Sequence, residues 1–319
     1  VVPKKYVEKV GADGFKKAPI GAGPYKFVSF NPGVELVLEA FDQYWRKPPS
    51  VKTLVFRVIP DEATRLAALK RGEVDIAYSI RGELAEDLRN TAGLSLKPAL
   101  VQGVFCLYFP DQWDPKSPWH DERVRRAASL AIDRKGTNDA LTLGYSKVTG
   151  NPIVPDGYEF FWQPPEDAAA YDPEKAKKLL AEAGHPGGFD AGDYNCDSSY
   201  ANIGEAVVDN LAAVGIRAKL RPVERAAFIK EYNEKKFKNI IQAGPGAFGN
   251  AATRIEAQLV KGGTFSYGSY PDIDELYQQQ TVELDRAKRE AILHKIQQIM
   301  TERVIYAPIW QLAFINGTG

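Results

Sequence analysis

The sequence predicts a mixed α/β protein built as two lobes, and three observations carry that expectation. Between residues 54 and 79, a β-branched apolar run, a Pro60-Asp61 stop, an amphipathic stretch and a second apolar run follow one another as strand, helix and strand would. Between 203 and 241, apolar residues at helical spacing give way to alternation, then to helix and short strand again. The length, 319 residues, suffices for two sizeable cores.

Taken in order, residues 1–18 read as a helix tail running into a loop, and 19–24, rich in Gly and Pro, as a turn. Residues 25–28 and 36–38 are strand-like and flank a turn at Asn31-Pro32-Gly33. The run 54–59 is expected to be a buried strand, Asp61 a helix N-cap, and Ala63, Leu66, Ala67 and Lys70 one side of a helix that Gly72 ends. With 74–77 as the next strand, this makes a parallel βαβ unit. A short polar helix (85–89) and an extended segment (94–100) lead into a strongly apolar strand at 101–109. Residues 111–118 form a loop, and Asp121 caps a helix whose apolar positions are Val124, Ala127, Ala128 and Ala131. The stretch 144–162 is irregular. Asp172-Pro173 opens a helix with Leu179, Leu180 and Ala183 inward, closed by Gly184. Ile203, Val207, Leu211 and Val214 keep helical spacing, Ile216, Ala218 and Leu220 alternate, 224–235 is helical, and 240–241 is a short strand. Two helices share 272–303, joined near Leu284-Asp285, and 305–315 is a last strand.

Lys plus Arg (41) equals Asp plus Glu (41), which argues against a nucleic-acid partner, whose phosphates need a basic surface. No apolar run is long enough to span a bilayer, and no leader peptide opens the sequence as read. Cys106 and Cys196 are far apart, as are the three His, so no zinc site is expected. For the cysteines, two buried free thiols are preferred to a disulfide. No nucleophile elbow, zincin motif or P-loop occurs, so neither catalysis nor a cofactor is expected. The segment 244–249 (GPGAFG) does satisfy a dinucleotide-binding pattern after a short strand. It does not open the chain's first βαβ unit, and Pro245 removes a needed N–H donor. An NAD(P)-dependent oxidoreductase using that loop is therefore the alternative, and a tight glycine loop the plainer reading.

GAGPYKFVSF (21–30), DQYW (42–45), VIPDEATRLAALKRGEVDI (58–76), HDERVRRAASLAIDR (120–134), NPIVP (151–155) and DPEKAKKLLAEAG (172–184) succeed one another in an order that resembles the family 5 extracellular solute-binding proteins of bacterial ABC importers. The resemblance runs through nearly the whole chain to 306–314. It implies a two-lobe, periplasmic binding protein-like fold of the class II type, with mixed sheets flanked by helices. It implies a periplasmic (or, in a Gram-positive, cell-surface anchored) monomer that captures a peptide-like or other small organic solute by hinge closure and delivers it to importer permease subunits. Residues 1–104 with 304–319 would form the first lobe and 105–303 the second. Such proteins carry a large portion before GAGPY. Only twenty residues precede it here, so a C-terminal fragment with an incomplete first lobe is expected.

In the peptide-binding members that the chain resembles, the loop matching 244–254 holds an aspartate that pairs with the ligand's α-amino group. Here that stretch contains no Asp or Glu. Burying an ammonium without an opposite charge costs several kcal/mol, against about 8 kcal/mol for a micromolar complex. Free peptides are thus poor candidates, and an anionic, amide-blocked or neutral solute is preferred, with Asn250 and Arg254 as its partners and Phe248 beside them. Arg254 as a solvated surface charge is the rival reading. Phe105, Tyr108 and Trp113 stand at the expected lobe crossing as stacking faces, with core packing the rival for Phe105. Trp162 belongs to an aromatic cluster that is either a loop anchor or a ligand wall. Tyr194 and Asp197 precede a helix. Asp197 is expected to cap it, or to supply the missing acid.

Overall fold

The computed structural model describes residues 2–244 and 249–319. The chain divides into two compact units, residues 1–74 and 75–319.

The first unit holds α1 (Lys4–Lys17), kinked at Gly11, and an antiparallel sheet of β1 (Tyr25–Asn31), β2 (Glu35–Ala40) and β3 (Thr53–Arg57), followed by α2 (Glu62–Lys70). Asp61 caps α2 as expected, its carboxylate accepting the Thr64 N–H at 2.7 Å, and Gly72 leaves the helix at φ +69°. The first eighteen residues are more regular than expected, being largely helix. The parallel βαβ unit is corrected. β3 pairs antiparallel with β2, from Glu35↔Arg57 to Glu39↔Thr53, and it is mostly exposed, Val55 by 45% and Phe56 by 54%. The strand after α2, β4 (Ile76–Ala77), joins the other sheet. The spacing of strand, helix and strand is there; a crossover is not, because a meander lets β3 find β2 without one.

The second unit continues from β4 through α3 (Gly82–Asn90), β5 (Ser95–Tyr108), α4 (Glu122–Ala131), α5 (Arg134–Thr142), α6 (Pro173–Glu182), β6 (Phe189–Asp197), α7 (Ala201–Ala213), β7 (Ile216–Val223), α8 (Arg225–Asn233), β8 (Ile240–Ala243), α9 (Ala251–Leu259), α10 (Pro271–Val282), α11 (Arg286–Glu302) and β9 (Tyr306–Thr318). Its sheet has the order β4-β9-β5-β8-β6-β7. β7, β6 and β8 are parallel, whereas β5 runs antiparallel to β8 and β9. Alternation along β5 sends Phe105, Leu107 and Phe109 into one core and Cys106 and Tyr108 into the other, so the sheet is covered on both faces.

Local signals place the helices well. Asp121 and Asp172 cap α4 and α6, and Val124, Ala127, Ala128 and Ala131 are all buried. Arg125 and Arg134 lie inside the fold, bonded among the described residues to backbone oxygens. Arg125 donates to the backbone oxygens of Trp119, His120, Arg303 and Val304. Arg134 donates to those of Ser129, Ile132, Ala169, Ala170 and Pro308. Burial pushes the Arg134 pKa down to about 9, which leaves it charged at neutral pH.

Both cysteines are free and buried, as preferred from sequence. The register explains why. Cys106 opposes Ala243 of β8, which pairs on its other side with β6, and the two thiols enter opposite cores. Two strand spacings, about 9.5 Å, exceed the span a disulfide bridges. Burial raises each thiol pKa to about 12. Ellman's reagent at pH 8 should therefore find no thiol in the native protein and two after denaturation. One fast-reacting thiol in the native state would contradict this packing.

Candidate functional site

In open α/β sheets, ligands bind beyond the carboxyl ends of the strands, where backbone leaves the sheet and side chains converge. β6, β7 and β8 are parallel, so their carboxyl ends share one edge. A cavity of about 420 Å³ lies there, wholly within the second unit. Asp197 from the end of β6, Gln242 and Gly244 from the end of β8, and Arg225, Phe228, Ile229 and Tyr232 from α8 line it. A further wall comes from β5. It pairs with β9 up to Leu100↔Ala313 and resumes at Val104↔Gln311; Val101, Gln102 and Gly103 fall in the break and face the cavity.

The polar groups at this edge are tied down. Asp197 caps, as expected, and meets the cavity already paired with a cation. Its carboxylate accepts the Ser199 N–H at 2.9 Å, capping the turn before α7, and accepts from Arg225 at 2.7 Å inside the cavity wall. The Asp197 side chain is 7% exposed and that of Arg225 59%, so solvent screens one end of the pair. Gln242 accepts from the Tyr194 hydroxyl at 2.8 Å and donates to the Tyr200 backbone oxygen at 3.2 Å, fixing the loop that carries Tyr200. Phe105 meets the edge of Tyr200 with centroids 4.8 Å apart. Arg225 is the one cation in the described lining, and Asp197 the one carboxylate.

Of the residues singled out from sequence, Phe105 and Asp197 line this cavity. Tyr108 points to the other side of β5, stacked on Tyr306 at 4.5 Å, because it stands an odd number of residues from Phe105. Trp113 packs on Tyr270 at 4.6 Å. Trp162 lines a different cavity, of about 370 Å³, beside Arg126 and Lys175. Tyr194 is fully buried beneath Gln242. Asn250 caps α9 and donates to Glu159. Arg254 is neither a cavity residue nor a solvated charge: it is 5% exposed and donates to the Ile153 backbone oxygen at 3.0 Å. Phe248 lies outside the described residues. Sequence reading missed Tyr200, Arg225, Phe228 and Tyr232. Arg225, Phe228 and Tyr232 lie in the helix expected at 224–235, which follows an expected strand; Tyr200 follows β6, a strand with no expectation in the sequence.

The sequence matches the model described as "Bacterial extracellular solute-binding proteins, family 5 Middle" over residues 1–266. The chain belongs to this family. Among curated relatives, the "Dipeptide-binding protein" of Escherichia coli (strain K12) is 27% identical over 301 residues, covering 89% of this chain and 54% of the relative. The chain spans about half the length of the curated relatives it matches. Among solved structures, the periplasmic binding protein DppA from Helicobacter pylori, in complex with peptide STSA, superposes with a TM-score of 0.84 at 22% identity, over 100% of this chain and 63% of that one. AgaA from A. tumefaciens R10, in complex with agropinic acid, gives 0.80 at 25% identity, over 99% and 65%. These likenesses establish the binding-protein fold that the sequence led one to expect. The family's matches are binding proteins, and the dinucleotide reading of 244–249 finds no support among them. Among the described residues, no helix is long and apolar enough to cross a membrane, and no group of three or more His, Cys, Asp or Glu is placed to hold a metal.

Proposed function

We propose that this family 5 chain acts as the substrate-binding component of an ABC importer, capturing a small organic solute without altering it. The observation that carries the reading is the aromatic cavity at the carboxyl ends of parallel strands in a chain of this family. Residues 1–104 with 304–319 form one lobe and 105–303 the other, and the register break at 101–103 between β5 and β9 is the flexing point. A solute that makes contacts only the closed form offers shifts the population toward closure. The closed form then docks on permease subunits, at the periplasmic face or on the surface of a Gram-positive cell. The protein works as a monomer, needs no cofactor and breaks no bond. The names of its relatives, one a dipeptide-binding protein and one solved with agropinic acid, support a peptide-like or acidic organic solute.

A thermal-shift screen over free peptides, N-blocked peptides and organic acids tests this. A true solute at 100 times its Kd stabilises by about 2.7 kcal/mol, or roughly 5–10 °C for a unit of this size. Scattering should then show a smaller radius of gyration with the hit bound. No hit across the screen, or turnover of any compound, would remove the reading.

A further inference from the structure

We propose that the Tyr232 hydroxyl and the Gln258 side-chain amide nitrogen, both in the cavity wall, hold an acceptor oxygen of the bound solute: a carboxylate, carbonyl or hydroxyl. The inference rests on the capture reading above and names what the site selects.

Both residues line the cavity, and they are only 6% and 2% exposed. Their polar ends, Tyr232 Oη and Gln258 Nε2, are covered here and have no protein partner among the described residues, and on binding both side chains turn toward the cavity. Buried polar groups are nearly always paired, so two orphans in one cavity wall point to a partner that arrives from the cavity. The Gln258 amide is oriented by its neighbour. The Tyr306 hydroxyl lies 2.9 Å from the Gln258 backbone oxygen and 3.1 Å from Oε1, donating to them and leaving Nε2 as the free end. Burial holds the Tyr232 phenol pKa well above its usual value, so the group keeps its proton and can donate.

The rest of the lining agrees in sign. Asp197 is committed to Arg225 and to the Ser199 N–H. Arg225 spends one nitrogen on Asp197 and has further N–H groups to offer. Tyr232, Gln258 and Arg225 thus bring donors to an apolar, aromatic hollow. The class that fits is a solute with acceptor oxygens on an apolar or aromatic body and no free ammonium.

The test uses the full chain, its Tyr232→Phe and Gln258→Leu variants, and two matched probes, N-acetyl-L-phenylalanine and L-phenylalaninamide. Without solute, Tyr232→Phe should melt at the same temperature as the parent or higher, because no bond is lost. Calorimetry should show the acetylated acid binding about 10-fold tighter than the amide, and each variant losing about 5–20-fold for the acid alone. A melting temperature several degrees lower in unliganded Tyr232→Phe would mean that the hydroxyl is already bonded within the protein, and would overturn the proposal without reference to any solute. Equal affinity for the two probes, preference for the amide, or binding of neither would overturn it as well. Hits in the wider screen alongside any of these results would leave the capture reading standing; an empty screen would remove both.

Discussion

Replacing Arg134 with alanine is expected to cost about 3–5 kcal/mol of stability. The guanidinium is 2% exposed and joins four stretches of backbone. It donates to Pro308 in β9 at 2.8 Å, to Ala169 and Ala170 before α6 at 3.2 Å each, to Ser129 in α4 at 3.0 Å, and to Ile132 after it at 3.3 Å. Alanine removes this donor from the Pro308, Ala169 and Ala170 oxygens, while those of Ser129 and Ile132 keep the Ile132 and Arg134 N–H groups, and it opens a void between α4, α5 and β9. Lysine can reach only part of the set with its single ammonium and should recover about half. Since the chain forms two compact units, urea unfolding should be followed by probes in each, and only the transition of residues 75–319 should move. A loss below about 1 kcal/mol would mean that water or relaxed backbone satisfies those oxygens instead.

The second large effect concerns Gly244, at the mouth of β8. A methyl group there would lie 2.5 Å from the Phe105 ring, closer than carbon atoms approach. Gly244→Ala should force Phe105 off its contact with Tyr200 and into the cavity. We expect about 1–3 kcal/mol of destabilisation from overpacking and at least about 10-fold weaker binding of whichever solute the thermal-shift screen finds. Phe105→Leu in the same chain makes room for the methyl, and the double variant should regain most of the stability lost by Gly244→Ala. The coupling, read as a double-mutant cycle, should exceed about 1 kcal/mol. Additive effects would show that the ring and the glycine do not meet.

Particular elements show what was readable in advance. Asp61, Asp121 and Asp172 were recognisable as caps because a cap is a bond between residues two or three apart. The spacing of Ile203, Val207 and Leu211 was readable because one helical face needs no knowledge of what covers it. α5 escaped notice for the opposite reason. Its buried side includes Thr137, which donates to the Asp133 backbone oxygen, and Asn138 and Thr142, satisfied by each other and by Ser146, so no apolar stripe marks it. The strand at 54–59 was found and its partner was not, since alternation says nothing about which neighbour a strand will choose. At the site, Phe105 was within reach because it lies in the strand expected at 101–109, and Asp197 because it precedes an expected helix, although β6, which it ends, was not expected. Tyr108 was misjudged by parity alone.

The sequence by itself determined the family, the kinds of elements and their order, and the neutral, acid-poor character of the loop after β8. These follow from residue type and from interactions spanning a few positions. Only the tertiary structure decided that β3 turns back on β2, that the two thiols lie on opposite faces of one sheet, and that Tyr232 and Gln258 bring unsatisfied groups to the same cavity. Those outcomes depend on contacts between residues tens to hundreds of positions apart, which local propensity does not encode.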